Sequence, residues 1–271
     1  MKFDTAHCKG KTAMVTGADS GIGLCFCNAL AARGVNLIMV SNVRERLEAK
    51  AIELYNKYKV RVETHCSDLS ASGAVRGLIQ AVDEDGGDFP DILVNNAGIF
   101  DFKSVASMSL ERVGLYPSLH VSAVTELTWM VVNRWREKGV KGYILNMSSM
   151  SCWMPMPGIA LYSATKAYIR VFSRALAYEL RDEGIRVMVA CPGGIATDLF
   201  GLPENLKRLA VRIKVLQTPE RFAEKALRRL FRGKMQYING GLNRITIPIV
   251  GALPTSARML VKHRLLDRIS K

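Results

Sequence analysis

The sequence is poor in the residues that build metal centres and disulfide frameworks. Four histidines are dispersed along 271 residues, and the six cysteines (Cys8, Cys25, Cys27, Cys66, Cys152, Cys191) form no C-x-x-C pair and no paired ligand spacing. That scatter argues against a structural zinc site, so no metal is expected, and it suits reduced thiols in a cytoplasm. No stretch approaches the roughly 20 apolar residues of a membrane span, and Met1–Gly10 has no apolar core of a secretory signal. The expected location is therefore cytoplasmic. Helix-turn-helix, zinc-finger and RNA-binding signatures are missing too, so no nucleic-acid partner is expected. Nor does a Pro/Gly/Ser-rich linker or an internal repeat divide the chain, which is read as one domain over 1–271.

What is there is an ordinary globular composition, 49% hydrophobic and 23% charged, with enough length for a sizeable core. The formal charge of +14 is unevenly placed. Residues 1–200 hold 22 Lys and Arg against 20 Asp and Glu, whereas residues 201–271 hold 16 against 4. A basic final quarter is either a solvated face or a contact for an anionic membrane surface or an acidic carrier.

Short apolar runs at Thr12–Thr16, Asn36–Val40, Arg61–Cys66, Ile92–Asn95, Tyr143–Met147 and Arg186–Cys191 alternate with segments of helical period. Leu47, Ala51, Leu54 and Tyr58 share one helical face, as do Ala164, Tyr168, Val171 and Ala175. The runs are continuously apolar, as strands buried on both sides must be. The pattern predicts an α/β fold, a Rossmann-like doubly wound parallel sheet of about seven strands with helices on both faces. A last strand is expected at Met235–Ile238, after a helix over Thr197–Leu216 and another starting near Pro219. An apolar, proline-interrupted run then leads through Leu242–Pro254 into a basic tail.

The first strand enters Thr16-Gly17-Ala18-Asp19-Ser20-Gly21-Ile22-Gly23 ahead of an apolar helix. Glycines there permit a tight turn and close backbone approach to a pyrophosphate held at a helix N-terminus. A nicotinamide dinucleotide is the expected ligand, with Gly17, Asp19, Ser20, Gly21, Ile22 and Gly23 as its cradle. About 20 residues past the glycines an acid would grip the ribose diol of NAD. Here the strand ends in Ser41-Asn42-Val43-Arg44. Ser41 and Asn42 can donate to a phosphate and Arg44 can reach one, which favours NADP(H) over NAD(H). Asp68, followed by Leu69, closes the third strand; it is placed to bond the adenine edge or to cap the next helix.

Tyr162 and Lys166 stand four residues apart, which puts a phenol and an ammonium on one helical face. An unperturbed phenol titrates near pH 10, and a neighbouring cation would bring it down toward use as an acid and base.

With the glycine turn, Asn95-Asn96-Ala97-Gly98, Ser149, Tyr162-x-x-x-Lys166 and Pro192-Gly193-Gly194-Ile195-Ala196-Thr197 in this order at strand ends, the chain resembles the short-chain dehydrogenase/reductase family over residues 10 to about 200. Ser149 precedes Tyr162 by 13 residues, the family's separation. The resemblance implies hydride transfer between a nicotinamide and a carbonyl or secondary alcohol. Tyr162 would exchange the proton, Ser149 would bond the carbonyl oxygen, and Lys166 would lower the phenol pKa and hold the nicotinamide ribose. Asn95, Ala97, Gly98, Pro192, Gly193, Ile195 and Thr197 would wall the cofactor. It also implies a homodimer or homotetramer, paired through helices near Arg112–Lys138 and Tyr162–Glu183.

One position departs from the pattern. His120 stands where the family has an asparagine that helps to position a water relay to the lysine. Either its ring preserves that relay or it is a core histidine at a helix bend near Pro117. Residues 198–271 correspond to the substrate lid and a C-terminal extension. Leu199, Phe200, Leu202, Leu206 and Leu209 in the lid, with Met147, Met150, Cys152, Trp153, Met154 and Met156 around Ser149, suggest a bulky apolar substrate, a 3-oxoacyl chain or a steroid. With the basic tail, they suggest contact with a membrane surface or an acidic carrier. The rival readings are a cofactor-binding regulator of impaired activity and a scaffold that uses the basic C-terminal region.

Overall fold

The computed structural model describes residues 8–84, 88–195 and 216–266. β1 (Thr12–Thr16), β2 (Asn36–Ser41), β3 (Val62–Cys66), β4 (Ile92–Asn95), β5 (Tyr143–Met147), β6 (Arg186–Cys191) and β7 (Gln236–Ile238) form one sheet in the order β3-β2-β1-β4-β5-β6-β7. Every pairing is parallel. The strands fall where the apolar runs predict them, with β3 and β7 each starting one residue later.

Successive side chains of each strand serve opposite layers. Ala13, Val15, Leu37, Met39, Ile92, Val94, Leu145 and Met188 pack on one face with α1 (Gly21–Ala31), α2 (Arg44–Tyr58) and α7 (Pro219–Phe231). Met14, Ile38, Val40, Leu93, Ile144 and Val187 pack on the other with α3 (Ala74–Glu84), α5 (Ala123–Lys138) and the end of α6 (Ala160–Glu179). α7 starts as its sequence signals: Thr218 caps the backbone N–H of Arg221 and Pro219 occupies the first turn. Its Phe222 meets Phe26 of α1 edge to face at 6.4 Å, both fully buried. Truncating either to alanine costs about 3–5 kcal/mol.

The strand order reverses direction between β1 and β4, so the carboxyl ends part there and open a crevice. A second feature that positions the site lies in the next helix. α4 (Leu110–Pro117) continues through a π-helical turn, Ser118–Ser122, into α5. Pro117 has no N–H to donate back to the preceding turn, and the wider turn follows it directly. The proline-interrupted run after β7 is helical as well: α8 (Gly241–Gly251) carries Pro248 within it, and α9 (Thr255–Val261) follows. The expected helix over Thr197–Leu216 lies almost wholly outside the described residues.

Candidate active site

At that crevice lies a cleft of about 380 Å³ that runs from the end of β2 to the start of α6. Gly17 and Gly21 adopt φ of 63° and 53°, which only glycine takes without strain. Gly23 does not line the cleft; a Cβ there would lie 1.9 Å from the Gly17 carbonyl oxygen, so it lets α1 close against the turn. Ser20, Gly21 and Ile22 line the cleft at the head of α1. No side chain caps that terminus and no acid occupies its first turn. Free amide donors at the positive end of a helix, under a backbone stripped of side chains, fit a pyrophosphate. The turn is tied to β4 by Thr16, whose Oγ1 accepts from the N–H groups of Asn96 and Ala97, both at 2.9 Å. Asn96 Nδ2 in turn donates to the carbonyls of Thr16 and Gly17.

The outer end of the cleft is ionic. Ser41 donates to Asp19 Oδ1 at 2.6 Å, and Arg46 lies 3.0 Å from Asp19 Oδ2. Asp19, Ser41, Asn42 and Arg46 all line the cleft. Arg44 does not: it is exposed and pairs with Glu48 one turn along α2. The cation at this end is therefore Arg46, because helix phase turns that side chain back over the cleft. Asp68 lines the cleft beside Leu69 while accepting from the N–H and hydroxyl of Ser70.

The inner end is buried. Tyr162, Lys166 and His120 are 8%, 4% and 0% exposed. Ser149 follows β5, and its Oγ accepts the N–H of Ser151 at 3.2 Å, which leaves the hydroxyl hydrogen to donate toward the Tyr162 phenol. Lys166 Nζ donates to the Met147 carbonyl at 3.0 Å and lies 5.6 Å from the Tyr162 ring centre. Burial pushes the phenol up to about 12 against a smaller lowering by the Ser149 hydrogen bond. Burial likewise brings Lys166 down to about 8. This corrects the expectation that Lys166 lowers the phenol: burial sets the direction, the lowering comes from Ser149, and the ammonium is aimed at a carbonyl.

His120 sits in the π-helical turn. Its Nε2 must accept, because the partner at 3.0 Å is the backbone N–H of Ile99. Nδ1 therefore carries the hydrogen and donates to Thr165 Oγ1 at 2.9 Å. Thr165 passes its own hydrogen to the carbonyl of Leu161 or Tyr162. Burial, and then the Lys166 charge, hold the ring neutral down to about pH 2. With both nitrogens committed, His120 clamps the loop after β4 to α6 and holds no water for a relay. Gly98 makes room for it, since a Cβ there would lie 2.9 Å from Nε2 and 3.5 Å from Lys166 Nζ.

Other expected wall positions are structural. Asn95 is buried beneath the cleft and donates to Thr128 Oγ1 and Asn146 Oδ1. Gly193 gives room to Asn243, and its N–H donates to Asn239 Oδ1. Ile195 is buried and bridges to Gln217. Pro192, Ala97 and Gly98 do line the cleft, and Thr197 lies outside the described residues. Sequence reasoning passed over Arg46, Asn96 and Ser148. Only Asn96, the second asparagine of its motif, carried a visible signal.

A family model for short chain dehydrogenase matches residues 11–204. The chain belongs to the short-chain dehydrogenase family. The human inactive hydroxysteroid dehydrogenase-like protein 1 is 36% identical over 199 residues, which cover 72% of this chain and 59% of that relative. This chain thus spans under two thirds of that relative's length. Very-long-chain 3-oxoacyl-CoA reductase-B of Danio rerio is 29% identical over 258 residues, 94% of this chain and 79% of that protein. Among solved structures, L-sorbose reductase from Gluconobacter frateurii, complexed with NADPH and L-sorbose, superposes with a TM-score of 0.76 at 29% identity, over 86% of this chain and 96% of that one. This is an oxidoreductase family, and solved relatives in it hold NADPH.

Proposed function

We propose that this chain is an NADP(H)-dependent carbonyl reductase for a bulky apolar ketone. The observation that carries the reading is the convergence of Ser149, Tyr162 and Lys166 at the buried end of the cleft. The bound dinucleotide supplies the hydride. Tyr162, held protonated by burial across the neutral range, gives its phenolic proton to the carbonyl oxygen, and Ser149 donates a hydrogen bond to that oxygen as charge develops. Lys166, charged below about pH 8, lines the cleft beside Tyr162 and would hold the nicotinamide ribose hydroxyls. A phenol pushed up to about 12 is fully protonated at neutral pH, so the proton that reduction consumes is already in place on Tyr162.

Preference for NADP(H) is supported at the outer end. The Asp19 carboxylate, which a ribose diol would want, is already engaged by Ser41 and Arg46, while the guanidinium keeps further N–H groups for a phosphate. Substrate class is supported by Met147 on the cleft wall and by Cys152, Trp153 and Met154 next to Ser149, together with the 3-oxoacyl and hydroxysteroid names of the relatives. Exposed Trp129, Tyr168, Val171 and Tyr178 on α5 and α6 support pairing with a second copy. A panel of long 3-oxoacyl, steroid and small ketones, followed by NADPH and NADH absorbance, tests the reading. Failure on every ketone with NADPH binding intact would favour the second reading, a cofactor-binding member without turnover, to which the human relative's name points.

A further inference from the structure

Away from the cleft, three cations of α7, Lys225, Arg228 and Arg229, and its C-cap Arg232 follow the spacing i, i+3, i+4 and i+7 of one helical face. With Lys234 and Arg244 they line a separate hollow of about 480 Å³ beside the edge strand β7, and among the described residues no carboxylate lines it. The two acids of α7 are used elsewhere, Glu224 on Arg33 and Glu220 on Cys25. Arg229 stacks over the Tyr237 ring at 5.2 Å, which fixes one wall. Six cations, with no acid among the described lining residues, would repel a second copy brought to the same edge.

The hollow does not end in a polar rim. α8 starts from it, and Arg244, Ile245, Pro248 and Ile249 lie exposed on one side of that helix. α9 is held to the end of α8 by Arg258, which donates to the Gly251 carbonyl at 2.8 Å. Its exposed Met259 and Leu260 are followed by Lys262 and Arg264. Ile245 and Ile249 are 61% and 59% exposed. No described helix is long and apolar enough to cross a membrane. Apolar side chains on short helices, flanked by cations, suit the interface of an anionic bilayer, where the two signals add.

We propose that this face docks on an anionic lipid surface, with lipid phosphates in the cationic hollow and Ile245, Ile249, Met259 and Leu260 entering the headgroup boundary. α8 also abuts the turn Met150–Trp153 that follows Ser149, since a Cβ on Gly251 would lie 3.2 Å from the Trp153 carbonyl. A lipid-like ketone would then reach the site from the bilayer side. The docking itself stands whether or not the chain turns a ketone over.

The test is flotation of the full chain with phosphatidylcholine vesicles, with and without about 30% phosphatidylserine. The expected result is retention at least about tenfold stronger on the anionic vesicles, weakened by salt. Arg228→Glu with Arg232→Glu, and separately Ile245→Asp with Ile249→Asp, should each lower retention by about tenfold while NADPH binding is unchanged. Equal retention on both vesicles, or none on either, overturns the proposal. So does loss confined to the charge variant with saturable binding of inorganic pyrophosphate in solution, which would make the hollow a soluble-anion site. A lower solution mass for the isoleucine variant would assign the face to a second copy and overturn it equally.

Discussion

The two ends of the cleft work by opposite electrostatics. At the outer end Arg46 is 61% exposed over Asp19, and water and salt screen what the pair can do; such a contact is worth about 0–1 kcal/mol. At the inner end Tyr162, Lys166 and His120 are buried, and burial is the largest cause that moves all three titrations. One end is suited to selecting a ligand by a small margin, the other to holding protons in place.

If the inner end works as a proton store, removing its one transferable proton should have the largest effect. Tyr162→Phe keeps the edge-to-face contacts with Phe100 at 5.0 Å and His120 at 6.0 Å, so the fold and NADPH binding should persist. Ketone reduction should fall by about 10²–10⁴-fold, the usual contribution of a positioned acid. Steady-state turnover beside cofactor titration checks this; turnover within a few-fold of wild type would remove Tyr162 from its role.

Next in size is the cost of burying the Lys166 charge. Its folded pKa of about 8 lies below its ordinary 10.5, so between those values the unfolded chain binds more protons and stability rises with pH, by about 3 kcal/mol in total. Tyr162 has the opposite sign. Its folded pKa near 12 exceeds its ordinary 10, so stability falls as pH climbs from 10 to 12. Lys166→Met should abolish the rise above pH 8 and leave the later fall, as read by denaturant midpoints across that range.

His120 should matter for stability more than for the rate profile. Its folded pKa of about 2 against an ordinary 6.5 makes stability fall as pH drops below 6.5, because the unfolded chain then takes up the proton first. His120→Ala removes that acid sensitivity and orphans the Ile99 N–H, at about 1–3 kcal/mol. The pH profile of reduction should show no limb near 6.5 in the wild type, and appearance of one would return the ring to a proton pathway.

Much of this was legible in the chain. Five of the seven strands announce themselves as continuous apolar runs, whereas β3 reads Val-Glu-Thr-His-Cys and β7 is three residues long; four-residue spacing alone places Tyr162 and Lys166 on one face. What was not legible depends on contacts distant in sequence. His120 bonds Ile99 and Thr165, 21 and 45 residues away, so nothing nearby says which of its two readings holds. The Lys166 expectation failed because proximity is visible in a spacing and desolvation is not. Arg44 and Arg46 look interchangeable as residues of a first helical turn; only the direction in which α2 leaves β2 decides which one faces the cleft. The family resemblance makes Asn95 a cofactor wall, yet the pleat sends its side chain down to Thr128 and Asn146.

The smallest effect is expected at the outer end, and it sharpens the comparison most. Arg46→Ala leaves the cradle and the buried end untouched, so turnover at saturating cofactor should hold. The KM for NADPH should rise by about tenfold, the equivalent of one charge-assisted contact. For NADH the same change works the other way, because losing the guanidinium frees the Asp19 carboxylate to accept a ribose hydroxyl, so KM should stay level or fall. The ratio of the two constants therefore reports phosphate reading without interference from folding or chemistry. An unchanged ratio would mean that the exposed pair only anchors α2 to the glycine turn, and that whatever distinguishes the two cofactors lies with Ser41 and Asn42.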